Sequence, residues 1–146
     1  LYSSAASDVY KRQLVNHAEC QMEWKDIEAT INRCRELGLT TVLCTADAAA
    51  TERGAGLNPD MIAVEPPELI GGDISVSTAK PEVISDSVGI VSKINSDIAV
   101  LCGAGVKNQN DISKAMSLGS KGILLASGVV KSSNPREVLL DLIKGL

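Results

Sequence analysis

Glu65 stands at the end of the apolar run Met61-Ile62-Ala63-Val64 and is followed at once by Pro66-Pro67-Glu68-Leu69-Ile70-Gly71-Gly72. Each proline locks its own φ and drives the preceding residue toward extended geometry. Glu65 is therefore expected to end a strand, with the two prolines as a stiff hinge. A carboxylate delivered in this way, under a loop whose glycines let backbone N–H groups come close to a ligand, has the placement of a general base. The competing reading is a surface glutamate at the start of a loop. Three other places carry residues suited to a site: His17, the single histidine, after Leu14-Val15-Asn16; Gly103 and Gly105 after the run ending at Leu101; and Ala126-Ser127-Gly128 after Leu125. Taken singly, a histidine at a strand end is more often a hydrogen-bonded structural residue. Either glycine segment reads equally well as a turn or a helix cap.

From Leu14 onward the pattern switches between short apolar runs and helical periodicity, the signature of βα units on a parallel sheet. Five units can be traced. A strand over 14–16 leads to a helix over 24–37, with Ile27, Ile31 and Cys34 on one face and Gly38 as its stop. A second strand, 41–44, is followed by a short helix capped by Asp47 that runs to about Gly54. Asn58-Pro59-Asp60 then turns the chain into a third strand, 61–64. A long connection after Glu65 reaches a helix over 80–94, with Pro81 in its first turn and Val83, Ile84, Val88 and Val91 as its buried stripe. A fourth strand, 98–101, precedes a helix begun by Asn108 and Asp111 and stopped by Gly119. A fifth strand, 122–125, precedes a last helix opened by Asn134-Pro135-Arg136-Glu137. All four chemistry-bearing places follow strands, so they share one rim, where parallel α/β folds bind ligands. This alternation fits an open doubly wound sheet or part of an eightfold barrel, and periodicity alone does not choose.

The bulk composition narrows the function classes. The 146 residues make one ordinary domain. Its 45% hydrophobic content includes no Phe and one Trp, so the interior must be Val, Ile, Leu and Ala, which suits a buried parallel sheet. A net charge of −4 argues against nucleic acid or an anionic membrane as partner. A small anion held by backbone groups stays open. Cys20, Cys34, Cys44 and Cys102 are widely spaced, with no C-x-x-C, so neither a metal site nor a disulfide framework is expected, and a reduced cytoplasmic protein is the default. No apolar stretch approaches the roughly 18 residues that would span a bilayer. Cys44 and Cys102, at strand ends, are expected to fill space as small apolar groups.

Residues 1–13 are set apart from the domain at 14–146. Ser3 to Gln13 resembles the in-frame translation of a sequencing adapter and shows no pattern that leads into Leu14. The segment carries Lys11 and Arg12 against Asp8, so without it the remainder is more acidic still. On this reading the natural sequence was cut at Leu14 and upstream structure is missing.

Four stretches in order, Leu14-Val15-Asn16-His17-Ala18-Glu19, Ala63 to Gly71, Leu101-Cys102-Gly103-Ala104-Gly105 and Leu124-Leu125-Ala126-Ser127-Gly128, resemble the triosephosphate isomerase family, in its shorter archaeal form. The likeness covers essentially all of 14–146. It implies an α/β fold, a partial TIM (β/α)8 barrel holding units four to eight. It also implies interconversion of dihydroxyacetone phosphate and D-glyceraldehyde 3-phosphate without a cofactor. By the same resemblance His17 is the electrophile that polarises the carbonyl oxygens and Glu65 is the base that moves the proton. Ile70, Gly71, Gly105, Ala126 and Ser127 match positions around the substrate phosphate, and Glu19 shapes the site. Archaeal relatives imply a homo-oligomer, a tetramer, for the intact protein.

Two departures stand out. The family's first strand supplies an asparagine and a lysine that nothing before Leu14 matches, so the isolated chain is expected to have negligible activity and two open sheet edges prone to aggregation. The loop reads Gly71-Gly72-Asp73 where the family usually has Gly-Thr-Gly, which brings a carboxylate near the phosphate end. The alternatives are another phosphate-binding barrel enzyme, a lyase or an aldolase, or a phosphate-binding module without chemistry. An aldolase would want a Schiff-base lysine at a strand end, and Lys121 comes nearest.

Overall fold

The computed structural model describes residues 11–72 and 74–146. Five strands, β1 (Arg12–Val15), β2 (Thr40–Thr45), β3 (Met61–Val64), β4 (Ala99–Cys102) and β5 (Gly122–Ile123), pair in parallel and in chain order. Between and after them run α1 (Trp24–Glu36), α2 (Ala48–Ala55), α3 (Val76–Ala79), α4 (Pro81–Ile94), α5 (Gln109–Ser117), α6 (Ser127–Val130) and α7 (Pro135–Ile143). The helix boundaries follow local chemistry. Gly38, at φ +67°, lets Leu39 N–H return to the Cys34 carbonyl and close α1. Asp47 accepts the Ala50 N–H at the start of α2, and Asn108 with Asp111 forms a reciprocal cap on α5.

The strand order decides between the two architectures left open by the sequence. A doubly wound sheet reverses direction at a switch point and carries helices on both faces. Here the order β1-β2-β3-β4-β5 never reverses. Val15, Leu43, Ile62, Val64, Val100 and Cys102 pack with the helical residues Ile27, Ile31, Ile84, Val91, Ile112 and Ala115 in one core. The opposite face groups Val42, Cys44 and Ala63 with Met61, Leu101 and Leu124, all from the strands or their immediate ends, and among the described residues no helix joins that group. Helices on one face and small apolar side chains on the other make the wall of a barrel, so the doubly wound alternative falls.

Several boundaries differ from expectation. β1 begins at Arg12, inside the adapter-like segment, and pairs Arg12 with Thr40 and Gln13 with Thr41; a ladder uses backbone groups and is indifferent to residue identity. It ends at Val15 because Asn16 turns to φ +61°. β4 lies one residue later than expected. β5 keeps only two paired residues, although Leu124 N–H still donates to the Cys102 carbonyl at 2.9 Å. The connection after Glu65 holds a 3-10 turn, Pro67–Leu69, and the short helix α3, both too brief for a periodicity to show.

At the N-terminal ends of the strands one side chain ties β2 to β3. Asp60 accepts from Thr41 N–H at 2.7 Å and from Thr41 Oγ1 at 2.9 Å, while Thr41 Oγ1 accepts the Asp60 N–H at 3.1 Å. Thr41 is buried, so loss of the carboxylate strands its donors. Asp60→Ala is expected to lower stability by about 1–3 kcal/mol in urea unfolding.

Candidate active site

Glu65 follows β3 by one residue and stays in the ladder: its N–H donates to the Thr45 carbonyl at 2.8 Å, and Gly103 N–H donates to the Val64 carbonyl at 3.1 Å. Ala63 pairs with Leu101, so Glu65 falls beside Gly103 on the inner face. The glutamate side chain lies directly over that glycine. A Cβ on Gly103 would sit 2.4 Å from Glu65 Cγ and 2.7 Å from Oε1. Gly103 is thus required by close approach, a role the sequence alone does not separate from a simple turn.

The carboxylate is 6% exposed. Burial raises its pKa, and the neighbouring Cys44 and His17 pull it part of the way back. Cys44 packs with Val42 and Ala63 on the inner face, the space-filling role expected from sequence. Burial together with the Glu65 carboxylate pushes the pKa of its thiol strongly upward. Cys102, also raised by burial, to about 11, belongs to the helix-facing core. Strand alternation carries the signal that finds Cys44: residues 42, 44, 61, 63 and 65 share one face. Glu65 Oε2 is buried and has no hydrogen-bond partner among the described residues. Unpaired polar atoms of this kind are rare outside functional sites.

That oxygen lies 3.9 Å from His17 Nε2. His17 sits in the loop between β1 and α1, where Cys20 N–H closes a turn on the His17 carbonyl at 2.8 Å. Its Nδ1 accepts the Glu19 N–H at 3.4 Å, which leaves the ring proton on Nε2, facing Glu65. Glu19 contributes through its backbone; its side chain is 90% exposed, with Oε2 4.0 Å from Nδ1. The rim thus brings an N–H donor to within 3.9 Å of an unpartnered carboxylate oxygen, and Glu65 lines a cleft with Asn16, Gln21, Cys44, Thr45 and Pro67.

The remaining positions fall on neighbouring loops of the same rim. Gly105, at φ +70°, lies so close under the Glu65 loop that a Cβ would sit 2.2 Å from the Ile74 carbonyl oxygen. Val76 N–H donates to the Ala104 carbonyl at 3.0 Å, and Ser75 Oγ donates to Asp111 Oδ1 at 2.6 Å, which fastens the far end of that loop. A Cβ on Gly128 would meet the Val106 carbonyl oxygen at 3.2 Å, so the β4 and β5 loops abut. Ala126 and Ser127 are exposed at the start of α6. Ile70 and Gly71 stand on the Glu65 loop beyond its 3-10 turn, with Gly71 at φ +70°. Glu68 pairs with Lys80 and is lowered in pKa by it, an anchoring charge on the loop. Asp73 lies outside the described residues. No cluster of three His, Cys, Asp or Glu able to hold a metal occurs among the described residues.

A titratable pair on the C-terminal rim of a parallel βα wall is the arrangement of a barrel enzyme. The chain belongs to the triosephosphate isomerase family, whose profile matches residues 6–146. It is 52% identical over 134 residues to the triosephosphate isomerase of Methanocaldococcus jannaschii, covering 92% of this chain and 61% of that protein. To the enzyme of Methanosarcina mazei it is 50% identical, covering 90% of this chain and 59% of the relative. The chain thus spans about three fifths of the length of these curated relatives. Among solved structures it resembles native KDPGal, with a TM-score of 0.66, 15% identity and coverage of 92% of this chain and 57% of that one. It also resembles flavocytochrome b2 with pyruvate bound, with a TM-score of 0.62, 22% identity and coverage of 86% and 32%. These two likenesses show the fold alone.

Two tests follow from the geometry. Gly103→Ala forces the Glu65 side chain or the strand end to move, with an expected stability loss of about 1–3 kcal/mol in thermal or chemical unfolding. The raised pKa of Glu65 means that the folded chain holds its proton more tightly than the unfolded chain. Stability therefore falls as pH rises from the ordinary value of 4.5 through the raised one. Urea unfolding of Glu65→Gln against the parent should show a stability difference that shifts in favour of the variant between pH 4 and pH 7.5.

Proposed function

We propose that this chain carries the proton-transfer site of a triosephosphate isomerase, interconverting dihydroxyacetone phosphate and D-glyceraldehyde 3-phosphate in the cytoplasm without cofactor or metal. The observation that carries the reading is the buried, unpartnered Glu65 oxygen 3.9 Å from the Nε2–H of His17. A substrate carbonyl oxygen placed on Nε2 puts the adjacent C–H within reach of Oε2, inside the 3–3.5 Å expected of reacting atoms. Glu65 takes the proton from one carbon, and the electron pair of the broken C–H bond becomes the double bond of an enediolate. The oxyanion is met by the His17 N–H in a largely dry site. Return of the proton to the neighbouring carbon, with the hydroxyl proton passing from one oxygen of the enediolate to the other, completes the isomerisation with no net change of oxidation state. Desolvation suits Glu65 to this exchange, since it raises the basicity of the carboxylate.

The backbone groups of Ile70, Gly71, Gly105, Ala126 and Ser127 are assigned to the phosphate. The N–H groups in the first turn of α6 have no intrahelical acceptor, which favours an anion. A lyase or aldolase reading is less well supported, because Lys121 precedes β5 and so stands at the end of the strand away from the rim. On this reading residues 14–146 are units four to eight of the barrel, residues 1–13 are a foreign lead, and the intact protein assembles as a homo-oligomer of tetramer type.

The test joins this chain, from Leu14, to the first three βα units of the Methanocaldococcus jannaschii relative. The chimera is expected to isomerise glyceraldehyde 3-phosphate and to exchange carbon-bound hydrogen with deuterated solvent, while the 146-residue chain alone does neither at a measurable rate. Glu65→Gln in the chimera should lower kcat by about 10²- to 10⁴-fold. A chimera that folds and binds phosphate but exchanges no hydrogen would reduce the site to a binding module.

A further inference from the structure

We propose that Asn16 is the positioning residue of the His17 imidazole: its carboxamide clamps the loop of residues 16–22 to the end of β2. The inference rests on the isomerase reading for its consequence in catalysis, and on geometry for the clamp itself. Asn16 is one of two non-glycine residues with positive φ among those described, at +61°. The left-handed backbone turns the chain out of β1 and folds the Asn16 side chain across the loop that follows it. Oδ1 accepts the Met22 N–H at 2.9 Å, and Nδ2 donates to the Cys44 carbonyl at 3.2 Å. One partner is only a donor and the other only an acceptor, so the orientation of the amide is set by chemistry.

These two bonds matter because little else holds the histidine. No regular element lies between Val15 and Trp24, and the His17 side chain is 26% exposed, so packing contributes modestly. The Met22 bond closes the loop into a ring around His17 and Glu19, and the Cys44 bond fixes that ring to the sheet. Val15 pairs with Leu43, so Asn16 falls beside Cys44 by register. Cys44 also lines the cleft beside Glu65. The Asn16 bond to its carbonyl therefore anchors the histidine loop at the residue of β2 that neighbours the base. Glycine would adopt the same φ more readily, but it would carry neither bond.

The test exploits His17 being the only histidine of the chain. Long-range proton–nitrogen spectra of the 146-residue chain are expected to show one imidazole, protonated on Nε2 and unprotonated on Nδ1. Asn16→Gly, which keeps the backbone turn and removes both bonds, should move the two ring nitrogens toward averaged tautomer values. Asn16→Asp, which keeps the acceptor for Met22 but sets an oxygen against the Cys44 carbonyl, should give an intermediate shift. In the chimera described above, Asn16→Gly should lower kcat about 10²-fold with a smaller change in KM, the effect of misplacing a reacting group by about 1 Å. A parent imidazole spectrum in Asn16→Gly overturns the proposal. The unmodified chain supplies a reading that needs no variant: the Met22 amide should exchange with solvent more slowly than that of Gln21, and equal rates also overturn the clamp. A chimera without isomerase activity, but with a His17 spectrum that responds to Asn16→Gly, would sink the isomerase reading and leave the clamp standing.

Discussion

A carboxylate kept out of water without a hydrogen bond on one of its oxygens is costly, and the architecture around Glu65 is arranged to hold it there. Glu65 is fixed by a sheet ladder that runs one residue past β3 and lies over a glycine that leaves room for its methylene. The imidazole opposite supplies an N–H, because its other nitrogen already accepts a backbone hydrogen bond.

The same logic accounts for the loops. The segment from Pro66 to Ser75 begins with two prolines, is braced near its start by the Glu68–Lys80 pair and is fastened at its end to Gly105, Ala104 and Asp111. Both ends are thus determined, while at the crest Gly71 adopts a left-handed backbone that a side chain would disfavour. The β4 and β5 loops, in contact through Val106 and Gly128, complete the rim.

Much of this was legible in the residues themselves. The helices have caps and stops that local chemistry dictates: Gly38 and Gly119 in left-handed conformations, Asp47 and Asn108 as N-caps, Pro81 and Pro135 in first turns. Strands that are buried on both faces appear as short unbroken apolar runs, and the proline pair marks where β3 must end. Boundaries at β1, β4 and β5 shifted because a ladder is set by the partner strand as much as by the residues in it, as the pairing of Arg12 and Gln13 shows. The turn at Pro67–Leu69 and the helix α3 were illegible because three or four residues carry no period.

By itself the sequence determined the alternation of strand and helix and the rim on which chemistry-bearing residues gather, because these depend on local propensity and residue type; the roles of His17 and Glu65 were only what the family resemblance implied. Only the tertiary structure decided that the strands run in unreversed order with helices on one face, that the buried, unpartnered Glu65 oxygen lies 3.9 Å from His17, and that Gly103 is needed for space rather than for a turn. Each of those depends on register between strands far apart in the chain. Register is a property of the assembled sheet, where shifting one strand by a single residue would turn every one of these side chains to the opposite face.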